Sequence, residues 1–183
     1  MNLVERVKAI LLQPNSEWPV IEGEPGDAGY LFSNYVAILA AIPPVCGFIG
    51  TSIIGVGIVS GLLHAIVSYA LTLAGVFVVA YVIDFLAGYF GARQNLDNAM
   101  RVSAYSPTAV WIVGVFNLIP ALAILSILGL YSLYLLHTGL AALMKPAADK
   151  AIIYTVVVVV CMIVVWLVIF GIIAALFGMA VMM

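Results

Sequence analysis

Charge is the scarcest commodity in this chain. Lys and Arg together number 6, Asp and Glu 8, so only 8% of the 183 residues are charged. A soluble domain carries about 25%. Nucleic-acid binding needs clustered basic charge, and so few cations exclude it. Cysteine is nearly absent as well: the 2 cysteines, Cys46 and Cys161, both lie in apolar runs. That excludes a secreted disulfide scaffold and leaves two thiols packing as small hydrophobes. The 2 histidines, His64 and His137, stand at different depths, which excludes bis-histidine haem. No His, Cys and carboxylate cluster has the spacing of a zinc site. There is no nucleophile elbow, no HExxH and no phosphate-binding glycine loop, so neither enzyme activity nor a cofactor or metal is expected. No long-period repeat is visible, and a transporter built from inverted repeats has no support. Nor does the N-terminus read as a signal peptide, because Arg6 and Lys8 are mixed with Glu5 and the run Ala9–Leu12 is too short for one.

What is present is apolar. Hydrophobic residues make up 66% of the chain and the mean hydropathy is +1.28. This is the composition of an integral membrane protein. A crossing helix needs about 20 apolar residues for ~30 Å of hydrocarbon, and the pattern predicts an all-α, polytopic bundle of five. The first span runs from Ser33 to Thr51, the second from Leu62 to Phe90, the third from Pro107 to Leu128. The fourth runs from Gly129 to Met144, and the fifth starts near Ala151. Pro107–Met144 would be about 57 Å as one helix at 1.5 Å per residue, enough for two crossings. With five spans, every basic residue falls on one side: Arg6 and Lys8, Arg93 and Arg101, Lys145 and Lys150. The positive-inside rule then places the N-terminus in the cytoplasm and the C-terminus outside. Residues 1–30 form an amphipathic, interfacial segment and residues 31–183 the membrane domain. Leu3, Val4, Val7, Ile10 and Leu11 share one helical face, suited to lying in the interface plane, with Trp18 as a headgroup-level anchor. Glu22–Gly29 reads as a polar linker. The uncharged, glycine-bearing stretch Ser52–Gly61 is a candidate for dipping back into lipid.

Candidate sites follow from polar or broken positions. Asp84 lies about 9 Å inside the second span, and an intramembrane acid is a functional candidate by default. His137 has a comparable depth in the fourth span, and the two can pair as a protonation or ion site; the competing reading is a structural clamp. Pro43, Pro44 and Pro120 each remove a backbone donor and mark candidate kinks, and Asn117 precedes Pro120 as a candidate polar ligand. His64 reads as an interfacial residue. The polar segment Gly91–Tyr105, with Arg93, Asn95, Asp97, Asn98, Arg101 and Tyr105, is a candidate contact loop for partners or lipid. Ser106 followed by Pro107 has the form of a helix start.

Three stretches carry a family likeness. They are Ala104-Tyr105-Ser106-Pro107-Thr108 with Trp111, then Tyr131-Ser132-Leu133-Tyr134-Leu135-Leu136 with Gly139-Leu140 and Leu143-Met144-Lys145, then Lys150-Ala151 with Tyr154-Thr155 and the valine run after them. With Pro14, Trp18 and Ile21, the chain resembles the Yip (Ypt-interacting protein) domain family, in its bacterial inner-membrane branch. Pro146 directly after Lys145 departs from that pattern by one residue. The resemblance implies five spans with a cytoplasmic N-terminus and an inner-membrane location. Eukaryotic members bind Rab-type GTPases through a long N-terminal region. Residues 1–30 are too few for that, so GTPase binding does not carry over. The expected function is a non-enzymatic scaffold or adaptor of membrane organisation, touching membrane lipid and a protein partner or a second copy. The alternative is a small transporter or channel built on Asp84, His137 and Asn117.

Overall fold

The computed structural model describes residues 2–24, 28–53, 55 and 57–178, and among them it contains helices and connections but no strand. Helix α1 spans Leu3–Leu12 and α2 spans Pro14–Gly23. A capping box starts α1: the Asn2 side chain accepts from Val4 N–H, and Glu5 reaches back to the Asn2 N–H at 3.3 Å. Proline at the first position opens α2, where its missing N–H is no loss.

Among the described residues, four helices are long and apolar enough to cross a membrane: α3 (Gly29–Ile53), α4 (Ile58–Phe90), α7 (Ile124–Met144) and α8 (Ala151–Phe177). Between α4 and α7 lie α5 (Leu96–Tyr105) and the short α6 (Thr108–Val113). After α6 the chain tightens into a 3-10 coil over Gly114–Leu118, breaks at Ile119 in extended conformation, and returns as a second 3-10 coil, Pro120–Leu130, that merges into α7. The expected third span, Pro107–Leu128, is not among the four; its residues form α6, the two 3-10 coils and the break between them. Pro120 sets the break, since it disfavours helical geometry in the residue before it.

The expectation that Ser52–Gly61 dips back into lipid is corrected. Ser52 and Ile53 complete the helix Ile42–Ile53, and Ile58–Gly61 already belong to α4. Only a tight turn remains, with Gly55 at φ 89°; Ile54 and Val56 lie outside the described residues. The other proline break is in α3, at Ala41. Pro43 and Pro44 fall in the first turn of the helix Ile42–Ile53, where missing N–H groups are tolerated.

Helix α6 and its 3-10 extension lie along α3 in the same direction. The Tyr35 and Thr108 hydroxyls share a hydrogen bond of 2.8 Å. Further along, a Cβ on Gly114 would stand 2.5 Å from Pro43, and one on Gly50 would collide with the Asn117 carbonyl. Glycine at both places lets the backbones close together, as small residues do in lipid, where packing rather than hydrophobicity joins helices.

The dense core sits at the end of the bundle where the chain begins. Trp18, Ile21, Val102, Leu136, Leu140, Leu143, Met144 and Tyr154 are almost fully enclosed there. The flanks of α3, α4 and α8 instead carry exposed Ile, Val, Leu and Phe, the surface a bilayer covers. Trp18 differs from the expected headgroup anchor. It is fully buried, donates its indole N–H to Thr138 Oγ1 at 3.0 Å and meets Tyr105 edge-on at 6.2 Å. A buried indole needs a partner for its N–H, and Thr138 supplies it. The N-terminal segment is therefore clamped onto α5 and α7 instead of lying apart from the bundle.

Candidate intramembrane site and the charged cap

At the basic end, charges bind the N-terminal helices down. Arg6 is buried and pairs with both Glu17 and Glu24, and its guanidinium lies 5.9 Å from the centre of the Tyr105 ring. Arg101 donates to the Glu22 and Glu24 carbonyls at 3.0 and 2.6 Å, and Lys145 pairs with Glu22 at 2.6 Å. The stretch read as a polar linker is thus anchored at Glu22 and Glu24, while Asp27 lies outside the described residues. The two loops carrying Arg93 and Lys145 are also tied, Arg93 N–H to the Met144 carbonyl at 2.7 Å and Ala147 N–H to Phe90 at 3.3 Å. Of the expected contact loop, Arg93, Asn95 and Asp97 are exposed, with Asn95 capping α5 through the Asn98 N–H. Asn98 and Tyr105 are buried, and the Asn98 amide donates to the Leu143 carbonyl at 3.1 Å. Burial pushes the Tyr105 phenol up to about 12, against the pull of Arg6.

Just inside this cap lie Asp84, on α4, and His137, on α7. His137 Nδ1 bonds the Thr155 hydroxyl at 2.9 Å, and the Tyr154 hydroxyl donates to the Ile83 carbonyl at 2.6 Å. Asp84 Oδ1 is buried and has no hydrogen-bond partner among the described residues. No hydrogen bond joins Asp84 to His137 among these residues.

The opposite end holds a different constellation. A cavity of about 600 Å³ opens between α3, α4 and α8 and is also lined by Asn117. Pro43 and Pro44 form part of its wall, so the kink in α3 widens it. The break at Ile119 directly before Pro120 is a matter of backbone conformation. Helix α4 contributes Ser60, His64, Ser68 and Thr72. Apart from Tyr69, these are all the hydroxyl and imidazole residues between Ile58 and Leu73, and all face one space. That row was missed in the sequence, where His64 stood alone as interfacial. The signal was the repeated four-residue step, which puts successive side chains near one face of a helix. Ser68 and Asp84 are separated by about 24 Å of helix, so Asn117 and Asp84 belong to two distinct places. Among the described residues, no group of three or more His, Cys, Asp and Glu could hold a metal ion, and both thiols are free.

Comparison with known proteins agrees with the membrane reading. The chain is similar to the inner membrane protein YohC of Escherichia coli K12 and to its counterpart in Escherichia coli O6:H1. Each is 27% identical over 163 residues, which covers 81% of this chain and 84% of the relative. No solved structure matches. The localisation expected from the sequence, an inner membrane, is that of both relatives. The family model described as the Yip1 domain matches residues 8–169, nearly the whole of the helical body and its cap, and the chain therefore belongs to the Yip1 domain family of integral membrane proteins.

Proposed function

We propose that the protein is a non-enzymatic scaffold of membrane organisation. It crosses the bilayer five times with its N-terminus in the cytoplasm and its C-terminus outside. The observation that carries this reading is the charged cap. Arg6, Arg101 and Lys145 are engaged in fixing α1 and α2 to the bundle, which leaves a rigid platform whose free edge is Arg93, Asn95 and Asp97. Such a platform suits holding a partner chain or lipid headgroups. The five-pass topology is supported by the same ties. The chain leaves the basic end at Thr108 and is back there at Lys145, so the intervening segment crosses an even number of times. Helix α7 accounts for one crossing. Thr108–Leu118 covers only about 19 Å, at 1.5 Å per residue in α6 and 2.0 Å in the 3-10 coil, so the other crossing needs the start of the second coil, Pro120–Leu130, as well.

The test is native mass spectrometry of the protein released gently from its own membrane. A partner chain or a stoichiometric charged-headgroup phospholipid is expected on the wild type and lost from the double variant Arg93→Ala, Asp97→Ala. Equal retention by both would sink the platform reading. One observation favours a second reading, a small transporter or channel: the unpartnered Asp84 oxygen, an expensive group to leave unsatisfied in lipid. Proton or ion flux in liposomes that is equal for wild type and Asp84→Asn would remove that role. The separation of Asp84 from Asn117 favours the scaffold.

A further inference from the structure

We propose that the cavity between α3, α4 and α8 is a binding site for a single-chain neutral lipid, a monoacylglycerol in chemical class. This inference stands apart from the scaffold reading, because a bound lipid is compatible with either function. Its first support is the state of the polar groups. Thr51, Ser60 and Thr72 each donate to a carbonyl of their own helix at 2.8, 2.9 and 2.8 Å. Ser68 does not: its Oγ is buried in the cavity wall with no partner among the described residues. A buried hydroxyl left unmade is costly, and a turn of this side chain towards the cavity would give it a ligand oxygen as partner. Asn117, whose side chain makes no hydrogen bond among the described residues, and His64, whose ring meets Phe177 at 5.3 Å, supply further donors towards the mouth.

The second support is charge. The lining contains no Asp, Glu, Lys or Arg, so nothing there pairs with a phosphate or carboxylate head. A glycerol head, which both donates and accepts, matches Ser, His and Asn. The third is the remaining wall. Phe48, Trp166, Ile169 and Ile173 offer an apolar surface to a chain, and the exposed flanks of these helices leave the cavity within reach of the bilayer. The fourth is size. At about 600 Å³ the cavity lies within the range of small-ligand pockets, room for one chain with a small head.

Gly47 supplies the test. It lines the cavity, and a Cβ placed on it meets nothing within 4 Å. Gly47→Leu therefore has room for its Cβ and adds bulk at the cavity wall, and leucine is the better helix former. The full-length protein in nanodiscs is photolabelled with a diazirine-bearing monoacylglycerol, and the labelled peptides are mapped. Saturable labelling of Ser60–Thr72 and Trp166–Phe177 is expected, competed by monopalmitoylglycerol but not by palmitate or phosphatidylglycerol. Gly47→Leu should weaken it at least tenfold. Ser68→Ala, which loses one hydrogen bond, should weaken it about two- to tenfold, and it carries the test should Gly47→Leu not fold. Labelling spread evenly over the flanks Ile124–Leu130 and Ile152–Val160 would overturn the proposal. So would equal competition by phosphatidylglycerol, or both variants labelling as wild type.

Discussion

Arg6 shows how one side chain can fasten a whole segment. It is 5% exposed, and Glu17, one of its partners, 8%. Removing one member of a buried ion pair leaves the other charge uncompensated, at a cost of about 3–5 kcal/mol. Arg6→Leu should therefore lower the thermal unfolding temperature in detergent and raise amide exchange through α1 and α2; unchanged exchange there would show that the pair does not hold them. Tyr105, beneath Arg6, makes a second prediction. The unfolded chain ionises near pH 10, whereas burial holds the folded phenol up to about 12. Between those values the folded state keeps a proton that the unfolded state has lost. Stability is thus complete below pH 10 and falls as pH rises towards 12. Unfolding followed across that window should show the fall in wild type and a shallower one in Tyr105→Phe. At this scale the sequence is a partial guide. Asp84, Asn117 and His64 were visible as unusual residues. That His137 answers to Thr155, and that Ser68 is unpaired, depends on helix rotation and packing that no local pattern encodes.

Helices in this protein are shaped by where they are interrupted. Pro43 and Pro44 were legible as a kink, and they occupy the first turn after a break at Ala41. What the sequence did not reveal is the fit of Pro43 onto Gly114, because it joins elements about seventy residues apart, and apolar periodicity cannot name a partner. Gly114→Leu should wedge α6 away from α3, with an overpacking cost of about 1–3 kcal/mol. A cross-link between cysteines at Tyr35 and Thr108, in a background without Cys46 and Cys161, should then form less readily than without the wedge. Equal cross-linking would mean the contact is not set by Gly114. The hydropathy reading separated α6 from α7 poorly for a related reason. The break at Ile119 is a matter of backbone conformation within a run that is apolar throughout.

Considered whole, the molecule is tight at one end and loose at the other. The tight end gathers the basic residues, which is why counting them along the sequence led to the five-pass topology. The proposed topology predicts that cysteines introduced at Gly55 and Phe177 react with an impermeant thiol reagent added outside intact cells, while one at Asp97 reacts only after lysis. Reaction at all three from outside, or at Phe177 only after lysis, would reverse it. The fold class and the family were readable because hydropathy and a long ordered set of motifs cover the chain. The cap was not, since its amphipathic face is equally compatible with lying on lipid and with lying on protein.

Trp18 has one further consequence, in the order of synthesis. Its hydrogen-bond partner Thr138 follows it by 120 residues, and at ~5–20 residues per second those residues take roughly 6–24 s to appear. The indole N–H is therefore satisfied only after Arg101, which holds the Glu22 and Glu24 carbonyls, has already been made, and a chain cut short before Thr138 lacks that partner.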